Sequence, residues 1–247
     1  MNRSGSRTRQ RGVALLITLW ALALLSLLML EIIDSVRLEN RQSLYQLQQA
    51  RAQLAAEAGV ALAVLHLSDP RRDQRWRANG QAYTQPFDGS QLAVQVYSDM
   101  GKVDLNSSSP DLCARLAQVL GASAYQASRL AAGVRARQAE ADVTPLQVLE
   151  EATQLPGMST DLFERLLPYI TVWSGYDEPV AALASAPVRL ALGQGLAATS
   201  DTVDPGPVLS VNSEARLDTG ARATLSATFL LTLDGGIQAF RVLRWQP

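Results

Sequence analysis

An uncharged apolar run near the start of the chain constrains its fold more than any other feature. Residues 13–30 read VALLITLWALALLSLLML, and Thr18 and Ser26 are its only polar side chains. As a helix the run is roughly 27 Å long at about 1.5 Å per residue, close to the roughly 30 Å of a bilayer core. Apolar residues would occupy every face of that helix, unlike a helix on a soluble core. The run therefore predicts a single membrane-spanning helix.

The residues before this run are basic. Residues 1–12 contain no acid and four arginines: Arg3, Arg7, Arg9 and Arg11. Positive charge is retained on the cytoplasmic side, so we expect a cytoplasmic N-terminus with the rest of the chain across the membrane.

Three interpretations of the N-terminal segment stay open. A secretory signal peptide is disfavoured because no small-residue cleavage site follows Leu30. A plain single-pass anchor is the second. The third is a short basic leader that is removed at Gly12, directly before Val13, because glycine leaves the backbone open to a peptidase.

The helical pattern continues beyond the apolar run. No proline occurs between Val13 and Ser68, and Asp69-Pro70 predicts the end of the helix. Its length would be about 56 residues, or ~84 Å. The second half carries a stripe of mostly small residues at helical spacing, which allows close packing on a sheet or another helix. The stripe comprises Ala52, Ala55, Ala56, Gly59, Leu62, Ala63 and His66.

The rest of the chain predicts strands on either side of a group of helices. Leu92, Val94 and Val96 alternate with less apolar residues, as in a half-buried strand. Residues 107–168 predict helices, including 124–137, one starting near Thr144, and 161–167 capped by Ser159 or Thr160. Further strands are expected at 208–211, 223–233 and 237–245, the last two joined by an Asp234-Gly235-Gly236 turn. This order indicates an α+β fold.

The residues offer little chemistry. The single Cys excludes a disulfide framework and a Cys-based zinc site, and the single His disfavours a His-dependent metal or enzyme site. No common catalytic or phosphate-binding motif occurs. Cys113 and His66 are interpreted as packing residues. We therefore expect a protein that is not an enzyme and has neither a metal nor a cofactor. The net charge of -1 argues against a general nucleic-acid binder.

At this point a family resemblance can be given. The stretch from Gln10 to Trp20 resembles the leader and first helical turns of the general secretion pathway protein K family, minor pseudopilins of bacterial type II secretion systems. Most pilins and pseudopilins carry Glu at the fifth mature residue, whereas counting from Val13 gives Ile17, as in K-type subunits. Two further segments resemble those that precede and close the family's helical domain. They are Gly101-Lys102-Val103-Asp104-Leu105-Asn106, and Leu155-Pro156-Gly157-Met158 continuing to Pro168-Tyr169-Ile170-Thr171-Val172.

The resemblance implies a domain organisation and a processing site. It implies a pilin-like long N-terminal helix packed on an antiparallel sheet, with an inserted helical domain. Prepilin peptidase would cleave between Gly12 and Val13, and Val13 would be N-methylated. The implied segments are a leader at 1–12, a transmembrane segment at 13–30, the rest of the helix at 31–68, first strands at 69–106, the helical domain at 107–172 and the C-terminal sheet at 173–247.

The resemblance also implies a role and partners. The chain would be a single-pass protein of the bacterial inner membrane with a periplasmic C-terminal domain. It would lie at the tip of the pseudopilus and initiate its assembly for export across the outer membrane. Ile17 fits a tip position, because a top subunit need not neutralise the N-terminal amine of a neighbour. Expected partners are I-type and J-type minor pseudopilins, with an H-type subunit as a further candidate, prepilin peptidase, the inner-membrane assembly platform and membrane lipid, but no nucleic acid.

Two other expectations concern the helical region. Larger family members have an acidic segment linked to calcium where this chain has residues 134–142. Calcium takes six to eight oxygen ligands, which Glu140 and Asp142 beside two arginines do not supply. No calcium site is therefore expected. Residues 155–158 also resemble a helix-hairpin-helix turn, which makes a membrane-anchored DNA-uptake protein the alternative function. Acidic residues around this turn disfavour it; these are Glu150, Glu151, Asp161 and Glu164.

Overall fold

The computed structural model describes residues 7–69, 71, 74–139, 144–195, 203–232 and 240–247. The chain divides into two compact units, Met1–Arg51 and Ala52–Pro247. The described part of the first unit is entirely helical, and the second holds the end of the same helix, a sheet and a helical insertion.

Helix α1 spans Arg7–Leu67, 61 residues with no proline to interrupt it. It ends one residue before the expected 68 and begins at Arg7, six residues before the expected 13. Inside the apolar run the Thr18 hydroxyl donates to the Leu15 carbonyl at 2.9 Å, and the Ser26 hydroxyl donates to the Leu22 carbonyl at 2.9 Å. Both hydroxyls are thereby satisfied by the helix itself, so the run keeps an apolar surface. No helix in the described part of the chain has the length and apolarity needed to cross a bilayer.

The sheet of the second unit has five antiparallel strands in the order β1-β2-β5-β6-β7. Their bounds are β1 (Asn79–Phe87), β2 (Ser90–Ser98), β5 (Val208–Leu217), β6 (Arg222–Leu231) and β7 (Phe240–Gln246). The C-terminal part of α1 packs on one face of β2, β5 and β6, whose alternate apolar residues point toward it. Residues buried there include Ala56, Val60, Ala63, Leu92, Val94, Val211, Leu225 and Phe229.

The small-residue stripe of α1 explains how closely helix and sheet approach. A methyl group at Gly59 would run into the Ser213 side chain on β5 and reach Val94 Cγ2 at 3.2 Å. Ala52, Ala56 and Ala63 are fully buried on the same side. The contact predicted for the second half of the helix is therefore present within the second unit.

A helical insertion lies between β2 and β5 and has its own core. It comprises β3 (Val103–Asp104), α2 (Pro110–Val119), α3 (Ala124–Ala139), α4 (Thr160–Leu166), β4 (Ile170–Thr171) and α5 (Ala186–Ala191), with 3-10 turns at Asp99–Gly101, Leu149–Gln154 and Leu167–Tyr169. Strands β3 and β4 form a short parallel pair, Val103 opposite Ile170. Ser109 and Ser159 cap α2 and α4 by accepting from Leu112 and Leu162 N–H groups at 3.2 Å each. The α+β architecture with a helical insertion is thus as predicted.

The expected helix near Thr144 is wrong, because the chain forms a 3-10 turn over Leu149–Gln154 instead. The reason lies at Leu146, whose backbone N–H and carbonyl both bond to the Asn106 side-chain amide, at 2.8 and 2.9 Å. Those backbone groups are then not free to bond within a helix. Helix α5 and the β3-β4 pair were not predicted from the sequence.

Candidate functional site

The expected processing junction lies within α1. Gly12 and Val13 are consecutive helical residues in the structure. The Val13 side chain is 61% exposed and that of Ile17, one turn further along the same helix, is 62% exposed. Ile17 thus presents a hydrocarbon where a carboxylate would be expected in most pilins. Cleavage and methylation at this junction remain predictions.

A fully buried carboxylate joins the sheet to the helical insertion. Asp99, in the 3-10 turn after β2, accepts from Ser210 Oγ on β5 at 2.7 Å and from Thr171 Oγ1 on β4 at 2.6 Å. Lys102 Nζ lies 2.7 Å from Asp99 Oδ1, the oxygen that also accepts from Ser210, and donates to Ser210 Oγ at 2.6 Å. Asp99 is 0% exposed, so its charge is sustained by these donors rather than by water. We call Asp99, Lys102, Thr171 and Ser210 the sheet–insertion clasp.

A second buried carboxylate closes the insertion on itself. Asp104 accepts from the Asn106 backbone N–H at 2.8 Å, from Ser174 Oγ at 2.9 Å and from the Gly175 N–H at 2.8 Å. Its own N–H donates to Ser108 Oγ at 3.1 Å. The acid therefore ties the end of β3 to the loop after β4.

Asn106 completes this arrangement. Besides its two bonds to Leu146, its amide donates to the Val172 carbonyl at 3.1 Å. One side chain therefore fixes three separate stretches of the insertion. The segment 101–106, noted from its resemblance to K-type pseudopilins, contains residues that fasten the fold.

Sequence reasoning left Asp104 without a partner and did not single out Asp99. The available signals were the position of Asp99 at a strand end and Lys102 three residues further on, because its hydroxyl partners lie 72 and 111 residues away along the chain. Asp111 is on the surface, where its carboxylate pairs with Arg135 at 3.1 Å.

A cleft of about 320 Å³ opens where the outer face of the sheet, opposite α1, meets the insertion. Tyr97, Asn212 and Gln246 lie on its sheet side, and Tyr169 and Pro187 on its insertion side. Burial, and then proximity to Tyr169, raise the pKa of Tyr97. We call this space the sheet cleft.

The two residues interpreted as packing residues do pack. Cys113 is buried in the insertion core, and burial raises the pKa of its thiol to about 12. The thiol is therefore neutral and unreactive at ordinary pH. His66 stacks on Trp76 with 4.6 Å between ring centroids, and Trp76 in turn stacks on Tyr83 at 4.4 Å.

The described residues provide neither a metal site nor a helix-hairpin-helix phosphate site at the positions noted from the sequence. Among the described residues, no three His, Cys, Asp or Glu side chains converge as metal ligands. Glu140 and Asp142, where calcium was considered, lie outside those residues. In the 155–158 turn, Gly157 has φ +86° and lies against the backbone of α3 at Gln126, where a Cβ would approach the carbonyl oxygen to 2.7 Å. The turn is thus a packed joint between helices.

These features together define a class: a pilin-like α+β protein whose sheet is interrupted by a helical insertion. A chain in the crystal structure of the GspK-GspI-GspJ complex from the enterotoxigenic Escherichia coli type 2 secretion system has this fold. The two align with a TM-score of 0.54 over 81% of this chain and 97% of that chain, at 16% sequence identity. No family model matches the chain, and no curated protein matches it. The resemblance noted from the sequence is therefore confirmed at the level of the fold.

Proposed function

We propose that this chain is a minor pseudopilin of a type II secretion system, similar to the K-type subunit. One observation carries the proposal: the alignment with a chain of the GspK-GspI-GspJ complex includes 97% of that chain, so the match extends well beyond a shared helix. The sequence segments around Gly12 and Asp104 were noted independently of that alignment and point to the same family. The proposed action is structural and mechanical, not enzymatic.

The proposal includes the finer steps that the resemblance implies. Prepilin peptidase cleaves between Gly12 and Val13 and methylates the new N-terminus. The subunit is anchored in the inner membrane by residues 13–30, with its second unit in the periplasm. It assembles with I-type and J-type minor pseudopilins, contacts an H-type subunit as a further candidate, and acts on the inner-membrane assembly platform.

The tip position is supported by Ile17. In the fibre core a Glu at this position would neutralise a neighbour's N-terminal amine, and an unpaired charge buried there costs several kcal/mol. Ile17 has no carboxylate to offer, so if this subunit lay below another pseudopilin, the amine of that neighbour would stay unpaired. We therefore propose that this subunit starts the pseudopilus and has no pseudopilin above it. No observation on the described residues favours the DNA-uptake alternative.

Intact mass and N-terminal sequencing test the class of protein. The full chain is extracted from membranes with and without co-expressed prepilin peptidase. We expect methylated Val13 as the first residue only when the peptidase is present, and an uncut product from a Gly12→Val control, whose β-branched side chain hinders backbone access. An uncut chain in the presence of peptidase, or cleavage after Leu30, contradicts the proposal.

Immunogold labelling of pseudopili then tests the position. We expect label at one end of each fibre and co-purification with I-type and J-type subunits. Label along the fibre length, or assembly unaffected by Ile17→Glu, contradicts the tip assignment while leaving the pseudopilin assignment intact.

A further inference from the structure

The floor of the sheet cleft is an ordered array of uncharged polar side chains. Strand register sets Asn212 of β5 opposite Ser226 of β6, and Ser226 opposite Gln246 of β7. The Ser226 hydroxyl donates to Asn212 Oδ1 at 2.9 Å. In the described part of the chain neither the Asn212 amino group nor the Gln246 amide has a protein partner. The row therefore offers amide donors and acceptors to a ligand lying across three strands.

A second row of polar side chains crosses the floor beside the first, and the cations near it are paired with carboxylates. Ser210, Thr228 and Arg244 are opposite one another on the same three strands. Arg244 Nε lies 2.9 Å from Glu150 Oε1, and Lys102 is engaged by the buried Asp99. Both cations at the cleft are thus already paired, so the cleft does not offer an unpaired charge to a phosphate or carboxylate.

The opposite wall is mostly apolar. It is formed by residues of the helical insertion: Leu149, Leu167, Pro168, Tyr169 and Pro187, with Ser185 as a polar member. Tyr97 lies at the end of the floor, where its ring rests on Gly80 of β1; a Cβ at Gly80 would meet Tyr97 Cε1 at 2.6 Å. The wall of the cleft can therefore contact apolar groups of a ligand, and its floor can form hydrogen bonds with polar groups.

We propose that the sheet cleft binds an uncharged saccharide. A pyranose ring carries C–H groups on its faces and hydroxyls around its rim, which matches an apolar wall beside a floor of amides and hydroxyls. Hydroxyls both donate and accept, as the Asn212 and Gln246 amides require. The volume of about 320 Å³ is at the lower end of the roughly 300–1,000 Å³ of small-molecule sites, enough for a short oligosaccharide. The proposal is independent of the secretion role.

An extended peptide is the nearest competing ligand and is less well matched. A peptide that pairs with a sheet does so at an unpaired strand edge. The polar rows instead lie on the outer face of β5, β6 and β7, where the backbone of β5 and β6 is bonded on both sides. Side chains alone are available on β5 and β6, which favours a ligand whose own groups are hydroxyls.

Saturation-transfer NMR with the full chain tests the proposal. The protein is kept in a zwitterionic detergent that contains no sugar, because glucoside headgroups carry the same chemistry as the ligand. The probes are tri-N-acetylchitotriose and maltotriose, with the blocked neutral peptide N-acetyl-Ala-Ser-Ala-Ser-Ala-amide as the competitor. Variants are Asn212→Ala and Gln246→Ala, both exposed and thus safe for folding. Gln91→Ala, an exposed glutamine of β2 outside the cleft, is the matched control.

We expect saturation transfer to at least one saccharide and an affinity about tenfold weaker in each cleft variant, the effect of one lost hydrogen bond. The Gln91→Ala variant retains the native affinity, and added salt leaves it unchanged because no charge pair is involved. The proposal is overturned if neither saccharide binds, if both cleft variants bind like the native chain, or if the peptide binds with the same dependence on Asn212 and Gln246. An affinity that falls with salt also overturns it.

Discussion

Replacement of Asp99 by alanine is expected to be among the most damaging single changes to this fold. The native carboxylate is completely buried and its partner Lys102 has a side chain only 11% exposed. Asp99→Ala leaves the ammonium group without its counter-charge. It also deprives the Thr171 and Ser210 hydroxyls of their acceptor. Removing one member of a buried pair costs about 3–5 kcal/mol, chiefly because the other charge stays buried and uncompensated.

The assay is thermal unfolding of the full chain in detergent, followed by circular dichroism. For a chain of this size each kcal/mol lowers the midpoint by about 2–4 °C, so Asp99→Ala is expected to lower it by roughly 6–20 °C. Asp111→Ala is the matched control, because its ion pair with Arg135 is largely exposed. Surface pairs of that kind contribute about 0–1 kcal/mol.

A double variant separates lost charge pairing from a general packing defect. Asp99→Ala combined with Lys102→Met removes the uncompensated ammonium, so it is expected to recover part of the lost stability. Equal midpoints for the single and double variants would show that the damage does not come from the unpaired Lys102. A single-variant shift as small as that of Asp111→Ala would refute the reasoning entirely.

Two further predictions concern packing and pH. Gly59→Leu places a side chain against Ser213 and should lower the free energy of unfolding by about 1–3 kcal/mol. Ala61→Leu, exposed on the same helix, should change it by less than about 0.5 kcal/mol. Equal thermal unfolding midpoints for the two variants would contradict the close helix–sheet contact. Burial raises the pKa of the Cys113 thiol from 9.0 to about 12, so above pH 9.0 the unfolded chain loses a proton that the folded chain retains. Stability relative to Cys113→Ala is therefore expected to be constant below pH 9.0 and to fall by up to about 1.4 kcal/mol per pH unit above it. A difference that does not vary with pH would exclude this coupling.

The main elements could be predicted from the sequence because their periodicity is local. Alternation along β2 and β6 identified the residues that face the helix, and Leu92, Val94, Leu225 and Phe229 are all buried there. The absence of proline predicted the length of α1, and the N-cap residue Ser159 predicted where α4 begins. These signals rest on residues within a few positions of one another.

The junctions could not be predicted in this way. The β3-β4 pair brings Asp104 beside Thr171, and the clasp brings Asp99 to Ser210, 111 residues further along the chain. No spacing rule connects such positions, because register across the whole fold decides which polar groups meet. The same long-range bonding, from Asn106 to Leu146, overrode the helix expected near Thr144.

The apolar positions and the buried polar junctions of this fold differ in how freely their side chains can be exchanged. Apolar positions tolerate exchange of side chains provided that volume and pattern are retained. A buried carboxylate must instead keep its donors at hydrogen-bond distance. Asp99 ties the insertion to the sheet through Ser210, and Asp104 ties the insertion to its own loop at Gly175. The insertion cannot swing from the sheet without exposing or orphaning these groups. Its position is therefore a fixed part of the subunit surface, which both the proposed saccharide cleft and the proposed role at a fibre tip require.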